Sequence, residues 1–185
     1  SESTATHYFH ILNLVEQLAG KGVKIALIIE KADSIPAITS PNIQLYPFNV
    51  NKWFRILKIS RVLMRLNRKG FNKIFIRINW RTALIAVLVS LATGQKIYFW
   101  HSTQGSREHY NMSAGWKKFR MWFRSQLPFK IVLKGIHKLV TGPESMITYY
   151  RESYGIPDSK ILLLYNDIDL NRFFPVTIEQ KKKIR

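Results

Sequence analysis

Two apolar runs in the middle of the chain end in polar side chains that could bind a small polar ligand. His101 follows the run KIYFW, and Thr103 and Gln104 come next on the same loop. Arg77 and Asn79 alternate out of the run KIFI. If both runs are parallel strands, these side chains lie at the carboxyl end of the sheet, where open α/β sheets bind ligands. His101 is then a candidate for contact with a ligand, and a structural histidine at the strand exit is the alternative.

The composition excludes several other chemistries. The chain has no cysteine, which rules out disulfides, thiolate metal ligands and a cysteine nucleophile. Its five histidines show no metal-ligand spacing, so we expect no metal site. The longest apolar stretch, 83–92, is about half as long as a membrane-spanning helix. No basic-then-apolar signal pattern follows Ser1. The absence of cysteine fits a reducing compartment, and we expect a cytoplasmic protein.

The positive charge is concentrated in the middle of the sequence. The formal net charge is +18, and residues 34–143 hold 19 Lys or Arg but a single acid, Glu108. The remainder holds ten bases and ten acids. An ordinary solvated surface would mix both signs, so this distribution indicates an anionic partner such as lipid headgroups, nucleic acid or a phosphorylated substrate.

The hydrophobic pattern alternates between short apolar runs and longer helical segments. Strands are predicted at 23–30, 43–48, 73–78, 96–101, 138–142 and 160–165. Helices are predicted at 7–19, 52–70, 81–94, 116–134 and 143–155. This order predicts a Rossmann-like, doubly wound, mainly parallel α/β sheet. Because such a sheet normally opens on a strand and this chain opens on a helix, we expect a first strand upstream of Ser1.

Three local patterns occur in order along the chain. GQKIYFWHSTQG (94–105) is similar to a strand ending in His-Gly, and KLVTGPESMITYY (138–150) to a strand, a Ser-Glu turn and a helix. GIPDSKILLLYNDIDLNRFFP (155–175) is similar to a strand, an Asn-Gly-Val-Asp turn and Arg-Phe-x-Pro. Together they resemble the N-terminal domain of the retaining glycosyltransferases of family 4, which have the GT-B fold, over residues 7–175.

The resemblance implies a domain organisation. Residues 1–175 would form the acceptor-side, Rossmann-like half of a GT-B enzyme, and 176–185 would begin the linker to a C-terminal domain. In this family the C-terminal domain holds most contacts to the nucleotide-sugar donor. The implied activity is hexosyl transfer, of the retaining type, without a cofactor besides the donor substrate. This chain alone would then be inactive.

The resemblance also implies roles for individual residues. His101 matches a histidine that lies in the cleft near the reacting sugar and is the catalytic candidate. Contacts to the acceptor or donor are expected from Arg77, Asn79, Thr103, Gln104, Ser3 and Thr4. Each has an ordinary structural alternative, such as helix capping by Ser3 and Thr4. Glu144, at the start of a predicted helix, is expected to cap it.

Two predicted helices combine basic and apolar residues. The first carries a cationic arc of Lys52, Arg55, Lys58, Arg61, Arg65, Arg68 and Lys69, opposite an apolar arc that includes Ile56, Leu57, Ile59, Leu63 and Leu66. The second interleaves Lys117, Lys118, Arg120 and Arg124 with Trp and Phe, a composition typical of helices in the headgroup region. We expect both to attach the protein to the inner face of an anionic membrane.

The leading hypothesis is therefore a membrane-associated glycosyltransferase that uses a nucleotide-sugar and a lipid-linked or polysaccharide acceptor. A basic nucleic-acid-binding α/β module is the first alternative, although no helix-turn-helix, RNA-recognition or zinc pattern is present. The second is a membrane-recruiting subunit that pairs with a separate donor-binding chain.

Overall fold

The fold consists of helices and strands that alternate along the chain. The computed structural model describes residues 5–30, 38, 40–48, 51–103, 112 and 114–165. The helices are α1 (Ala5–Gly20), α2 (Lys52–Arg68), α3 (Trp80–Thr93), α4 (Gly115–Met121), α5 (Leu127–Gly135) and α6 (Ser145–Tyr154). The strands are β1 (Ile25–Ile29), β2 (Ile43–Pro47), β3 (Lys73–Arg77), β4 (Lys96–Trp100), β5 (Lys138–Thr141) and β6 (Ile161–Leu163).

All strand pairings among the described residues are parallel. β1 pairs with β2, and β3, β4, β5 and β6 form a four-stranded sheet in that order. Each strand of the larger sheet is joined to the next through at least one helix, as parallel neighbours require. The predicted α/β, Rossmann-like fold class is confirmed.

Local sequence explains where α3 begins and ends. The side chain of Asn79 accepts hydrogen bonds from the backbone N–H groups of Arg81 and Thr82, which caps the first turn. Gly94 then ends the helix in the left-handed conformation, at φ 69°. The other helix and strand bounds also agree with the predictions to within a few residues.

The predicted helix over 116–134 is the main exception. It consists of α4, a five-residue π-helical segment (Trp122–Gln126) and α5. π-helical turns of this kind widen the backbone by one residue and often occur near functional sites. A sequence period of 3.6 residues does not reveal such an insertion, so the interruption could not be predicted.

The hydrophobic core lies on one side of the four-stranded sheet. Ile76, Ile97, Phe99 and Leu139 point from the strands into a single cluster with the buried residues of α2, α3, α5 and α6. The helices approach closely, since a Cβ atom on Gly135 would lie 2.3 Å from Cγ1 of Val87. Glycine is therefore required where α5 crosses α3.

The apolar arc of α2 differs from the prediction. Ile59, Leu63 and Leu66 are buried as expected, together with Val62. Ile56 and Leu57, which were expected in the same arc, are exposed. The buried stripe follows the spacing 59, 62, 63 and 66, so the first turns of the helix present apolar side chains to solvent.

Candidate functional site

The carboxyl ends of β3, β4 and β5 lie side by side and carry the candidate site. His101 directly follows β4 and is 6% exposed. Its Nδ1 lies 2.5 Å from the hydroxyl of Tyr150 on α6, and the same hydroxyl donates to the backbone carbonyl of His101 at 3.1 Å. Both contacts are satisfied when Nδ1 carries the proton and donates to Tyr150. In that tautomer Nε2 is a hydrogen-bond acceptor.

Burial determines the charge of His101. The ring packs against Phe99 and against Phe129 of α5, at centroid distances of 5.4 and 5.0 Å. Desolvation in these surroundings lowers the pKa of His101 from 6.5 to about 4. The same burial raises the pKa of Tyr150 above its usual range. At neutral pH the pair is uncharged, so His101 is suited to hydrogen bonding rather than to proton transfer.

A second group of polar side chains joins β1 to the start of α3. Glu30, immediately after β1, accepts a hydrogen bond of 2.9 Å from Nδ2 of Asn79 and another from the hydroxyl of Thr82. Arg55 of α2 approaches the same carboxylate at 3.8 Å. This Glu30 cluster (Glu30, Arg55, Asn79 and Thr82) therefore connects three segments at the sheet's carboxyl edge. Within this cluster, the amide nitrogen of Asn79 donates to Glu30 and its side-chain oxygen accepts from the N–H of Thr82, so both ends of the amide are held.

The residue before Asn79 has a strained backbone. Ile78 has φ 65°, in the left-handed region that β-branched residues avoid. Its N–H donates to the carbonyl of Trp100 at 2.8 Å, and the N–H of Asn79 donates to the carbonyl of Arg77 at 2.7 Å. Strain of this kind is typical of functional sites, where the surrounding structure enforces it. Here it turns the chain from β3 into α3 and orients Asn79.

A third polar contact joins the ends of β4 and β5. The hydroxyl oxygens of Ser102 and Thr141 lie 3.0 Å apart, and the N–H of Gly142 donates to Ser102 at 3.1 Å. The loop after β4 is therefore tied to its neighbour. The next residue, Thr103, is exposed at this edge.

The other predicted contact residues have different positions. Arg77 lies over the ring of Trp100, 5.1 Å from its centroid, on the sheet face opposite the core. Gln104, Ser3 and Thr4 fall outside the described residues. The prediction that Glu144 caps its helix is wrong: it occupies the N-cap position of α6 without a side-chain cap bond. Its carboxylate instead accepts a hydrogen bond from Tyr165 at 2.8 Å.

The basic residues of α2 form a surface apart from the core. Lys58, Arg61, Arg65, Arg68 and Lys69 are exposed, whereas Arg55 is half-buried beside Glu30. Lys52 begins the helix. α2 therefore packs one stripe into the core and presents a cationic stripe to its surroundings.

α4 and the π-helical segment precede α5 along the chain. Phe129 of α5 contacts His101 at the carboxyl end of β4, so these helical residues lead toward the candidate site. From residue 115 to 129 the helix rises about 20 Å. No residue of α4 is buried, and Trp116, Phe119 and Phe123 form a row of ring contacts at 5.3 and 5.0 Å. We call residues 115–126 the aromatic arm. Lys117, Lys118, Arg120 and Arg124 are exposed on it.

Metal-ligand clusters and membrane-spanning helices are both absent from the part of the chain that the structure describes. Within the described ranges, no group of three His, Asp or Glu side chains is arranged to hold a metal ion. Of the helices described, none has the length and hydropathy to span a bilayer.

Some residues of the site could not be identified from the sequence. Glu30, Thr82, Ser102 and Tyr150 hold Asn79, His101 and the β4 loop in place, yet lie up to 52 residues away from their partners. A weak signal was present for Glu30, a lone acid at the end of an apolar strand. Nothing in the sequence distinguishes Tyr150 from its neighbours Tyr149 and Tyr154.

Comparison with known proteins gives one match. The family model described as Glycosyltransferase Family 4 matches residues 9–172. No curated protein matches the chain.

Proposed function

The chain belongs to glycosyltransferase family 4, and we propose that it forms the acceptor-binding half of a membrane-associated transferase. The enzyme would move a hexosyl group, with retention of configuration, from a nucleotide-sugar to a lipid-linked or polysaccharide acceptor. No cofactor besides the donor substrate is needed. The protein would act in the cytoplasm, at the inner face of a membrane.

The observation that carries this proposal is the set of fixed polar groups at the sheet's carboxyl edge. Asn79 and His101 each have a side chain held by a second residue, Glu30 and Tyr150 respectively. Positioning by such partners reduces the entropy lost when a ligand binds. An acceptor saccharide, which offers many hydroxyl groups, suits a row of neutral donors and acceptors.

We propose the following individual roles. His101 is neutral at pH 7 and offers Nε2 as acceptor to a hydroxyl of the reacting sugar. Thr103 is exposed at the same edge and supplies a further hydroxyl contact. Asn79, Gln104, Ser3, Thr4 and Arg77 complete the set proposed to contact the acceptor or donor.

The aromatic arm is the proposed membrane anchor, with the cationic stripe of α2 in support. The arm leads into α5, whose Phe129 contacts His101, so insertion of its rings would bring the candidate site close to the bilayer. Trp116 is 75% exposed, an unusual state for such a large apolar side chain. Each nearby base adds roughly 1 kcal/mol of attraction to an anionic surface at low salt.

A C-terminal donor-binding domain is the proposed partner of this half. Such a domain would supply the groups that stabilise the leaving diphosphate, so residues 1–185 alone should not transfer sugar. We also propose that the reaction retains the anomeric configuration of the donor sugar. The anomer that the two-domain enzyme forms tests this directly.

The test of the membrane component uses residues 1–185 with lipid vesicles. The fraction that co-sediments should rise when anionic phosphatidylglycerol replaces about one third of a neutral phosphatidylcholine vesicle, and should fall as salt screens the surface. Single-stranded RNA is added as a competitor. Binding that needs anionic lipid and survives RNA supports the proposal, whereas indifference to lipid with tight RNA binding favours the nucleic-acid alternative.

A further inference from the structure

A cavity lies between α5 and α6, away from the candidate site. Its volume is about 300 Å³, at the lower end of the range for small-molecule pockets. α5 starts beside His101 and ends at Gly135, shortly before β5 begins at Lys138. The cavity belongs to the later part of α5 and is lined by Lys130, Leu133, Lys134, Ser153, Tyr154 and Ile156. It therefore lies toward the amino edge of the sheet, whereas the candidate site is at the carboxyl edge.

The cavity has an apolar floor and a cationic rim. Leu133 and Ile156 on the floor are only 1% and 5% exposed. Lys130 and Lys134 on the rim are exposed, and because they are four residues apart on α5 they lie on one face of the helix. Neither lysine takes part in an ion pair with the residues that the structure describes. A ligand in this cavity therefore meets a hydrocarbon surface and two ammonium groups.

Lys160 adds a third positive charge beside the cavity. Its Nζ donates to the backbone carbonyls of Leu133 and Lys134, at 2.9 and 2.8 Å. These carbonyls belong to the last turn of α5, whose partial negative charge would otherwise repel an anion. No acid is among the lining residues, and the neighbouring Asp158 is paired with Arg151 at 3.2 Å. The charges around the cavity therefore favour an anionic ligand.

We propose that this cavity is an effector site that binds a phosphate monoester carried on an apolar stem. The ammonium groups of Lys130 and Lys134 can donate to different oxygens of one phosphate, and charge-assisted hydrogen bonds of this kind are strong. The stem would cover Leu133 and Ile156 and remove their surface from water. Two sources offer this chemistry, a soluble phosphorylated metabolite and the headgroup of phosphatidic acid.

Packed aromatic rings connect the cavity to His101. Tyr154 lines the cavity, and the centroid of its ring lies 5.5 Å from that of Phe129 and 6.0 Å from that of Tyr150. Phe129 packs on the His101 ring, and the Tyr150 hydroxyl is bonded to its Nδ1. A ligand against Tyr154 therefore touches the rings that hold His101. Only the effector role rests on the proposed function, because binding itself needs no active site.

Because the chain has no cysteine, one introduced thiol reports on the cavity alone. The variant Ser153→Cys is treated with a thiol-alkylating reagent, with and without hexyl phosphate. At saturation hexyl phosphate should slow alkylation at least about fivefold, because the bound ligand covers the thiol. Hexanol and inorganic phosphate at the same concentration should protect less. The control Glu152→Cys, an exposed neighbour outside the lining, should be unaffected.

Charge removal makes the test specific. Adding Lys130→Gln and Lys134→Gln to the Ser153→Cys variant should raise the concentration of hexyl phosphate needed for protection at least about tenfold. Adding Lys73→Gln and Lys96→Gln instead removes the same charge from exposed residues of β3 and β4, and should leave that concentration unchanged. No protection by hexyl phosphate, equal protection by hexanol, or equal effects of the two lysine pairs would overturn the proposal.

Two further measurements identify the source of the ligand and test the effector role. Vesicles that contain phosphatidic acid replace hexyl phosphate: protection by them identifies a lipid headgroup, and protection by hexyl phosphate alone identifies a soluble ligand. In the wild type, the Cε1–H proton resonance of His101 is identified by its absence from the spectrum of His101→Gln. It should shift when hexyl phosphate binds, a readout that needs no sugar transfer. An unchanged resonance at saturation would overturn the effector role.

Discussion

Nδ2 of Asn79 donates a 2.9 Å hydrogen bond to Glu30, a residue 49 positions earlier at the end of β1. Asn79 also caps α3 through its oxygen. One side chain therefore fixes the start of a helix and connects it to a strand of the smaller sheet. Without Glu30, the β1–β2 pair would lose its hydrogen bonds to Asn79 and Thr82, which attach it to the candidate site.

The first prediction concerns this contact. Replacing Glu30 by Ala leaves the Asn79 amide and the Thr82 hydroxyl without their acceptor, so the free energy of unfolding should fall by about 1–3 kcal/mol. Urea denaturation measures the change. Glu152→Ala is the matched control, because Glu152 is exposed on α6 and should change stability by less than about 0.5 kcal/mol. Equal effects of the two substitutions would contradict the role given to Glu30.

The second prediction is the pH dependence caused by His101. Its folded pKa is about 4, below the value near 6.5 expected when unfolded. The unfolded chain therefore binds more protons between these values, so the histidine's contribution to stability is complete above pH 6.5 and is lost as the pH falls toward 4. The slope should approach 1.4 kcal/mol per pH unit.

Denaturation between pH 4 and 7 measures this slope. Carboxylates also titrate in the range, so the quantity to compare is the difference between the wild type and His101→Gln. The variant should lack most of the slope, while the exposed control His137→Gln should keep it. If both variants keep the wild-type profile, His101 does not titrate as its burial requires.

The third prediction concerns the strained backbone at Ile78. Glycine adopts φ 65° without a steric penalty, so Ile78→Gly should recover part of a strain of about 1–2 kcal/mol. The glycine also loses more conformational entropy on folding, which offsets up to about 1 kcal/mol. Ile78→Asn tolerates the same φ with less entropy cost and should be the more stable variant in thermal unfolding. Strong destabilisation by both changes would show that the Ile78 side chain, and not its φ, matters at this position.

The fourth prediction tests the close approach of α3 and α5. Gly135→Ala places a Cβ against Val87 and should destabilise the domain by about 1–3 kcal/mol through overpacking. Val87→Ala on the same chain should restore much of that loss, although Val87→Ala alone is destabilising. A double-mutant cycle in urea gives the coupling energy. Additive effects would contradict the contact.

The fifth prediction separates the aromatic arm from the cationic stripe of α2. Exchanging Trp116, Phe119 and Phe123 for Ser should weaken vesicle binding at all salt concentrations, because it removes apolar insertion. Exchanging Arg61, Arg65 and Arg68 for Glu should weaken it mainly at low salt, where charge attraction is strong. Circular dichroism checks that both variants fold.

The control for the change of charge is the double variant Lys21→Glu and Lys24→Glu. Both residues are exposed and lie outside the two surfaces. Full binding by the serine variant would exclude the arm as the anchor.

The sequence predicts those parts of the fold that depend on local pattern. Apolar runs such as KIYFW and helix signals such as Asn79 and Gly94 define the elements because their effects act within a few residues. The contacts of Glu30 and Tyr150 join distant segments, and such contacts depend on the packed fold. The predicted burial of Ile56 and Leu57 failed for a related reason. Helical periodicity identifies the apolar arc of α2, but it does not show which part of that arc packs into the core. The resemblance to family 4 supplies the remaining information, and the family match over 9–172 confirms it.

Sugar transfer by the full-length protein that contains these residues is the decisive measurement of whether the carboxyl edge of the sheet is the active site. The assay supplies radiolabelled UDP- and GDP-hexoses and vesicles that contain a polyprenyl-phosphate-linked saccharide, and measures label in the lipid fraction. We expect transfer from at least one donor, reduced at least about tenfold by Asn79→Ala and by His101→Ala. Asn72→Ala, an exposed residue at the opposite edge of the sheet, should leave transfer unchanged. Transfer that is indifferent to both Asn79 and His101 would contradict a site at the carboxyl edge of this sheet.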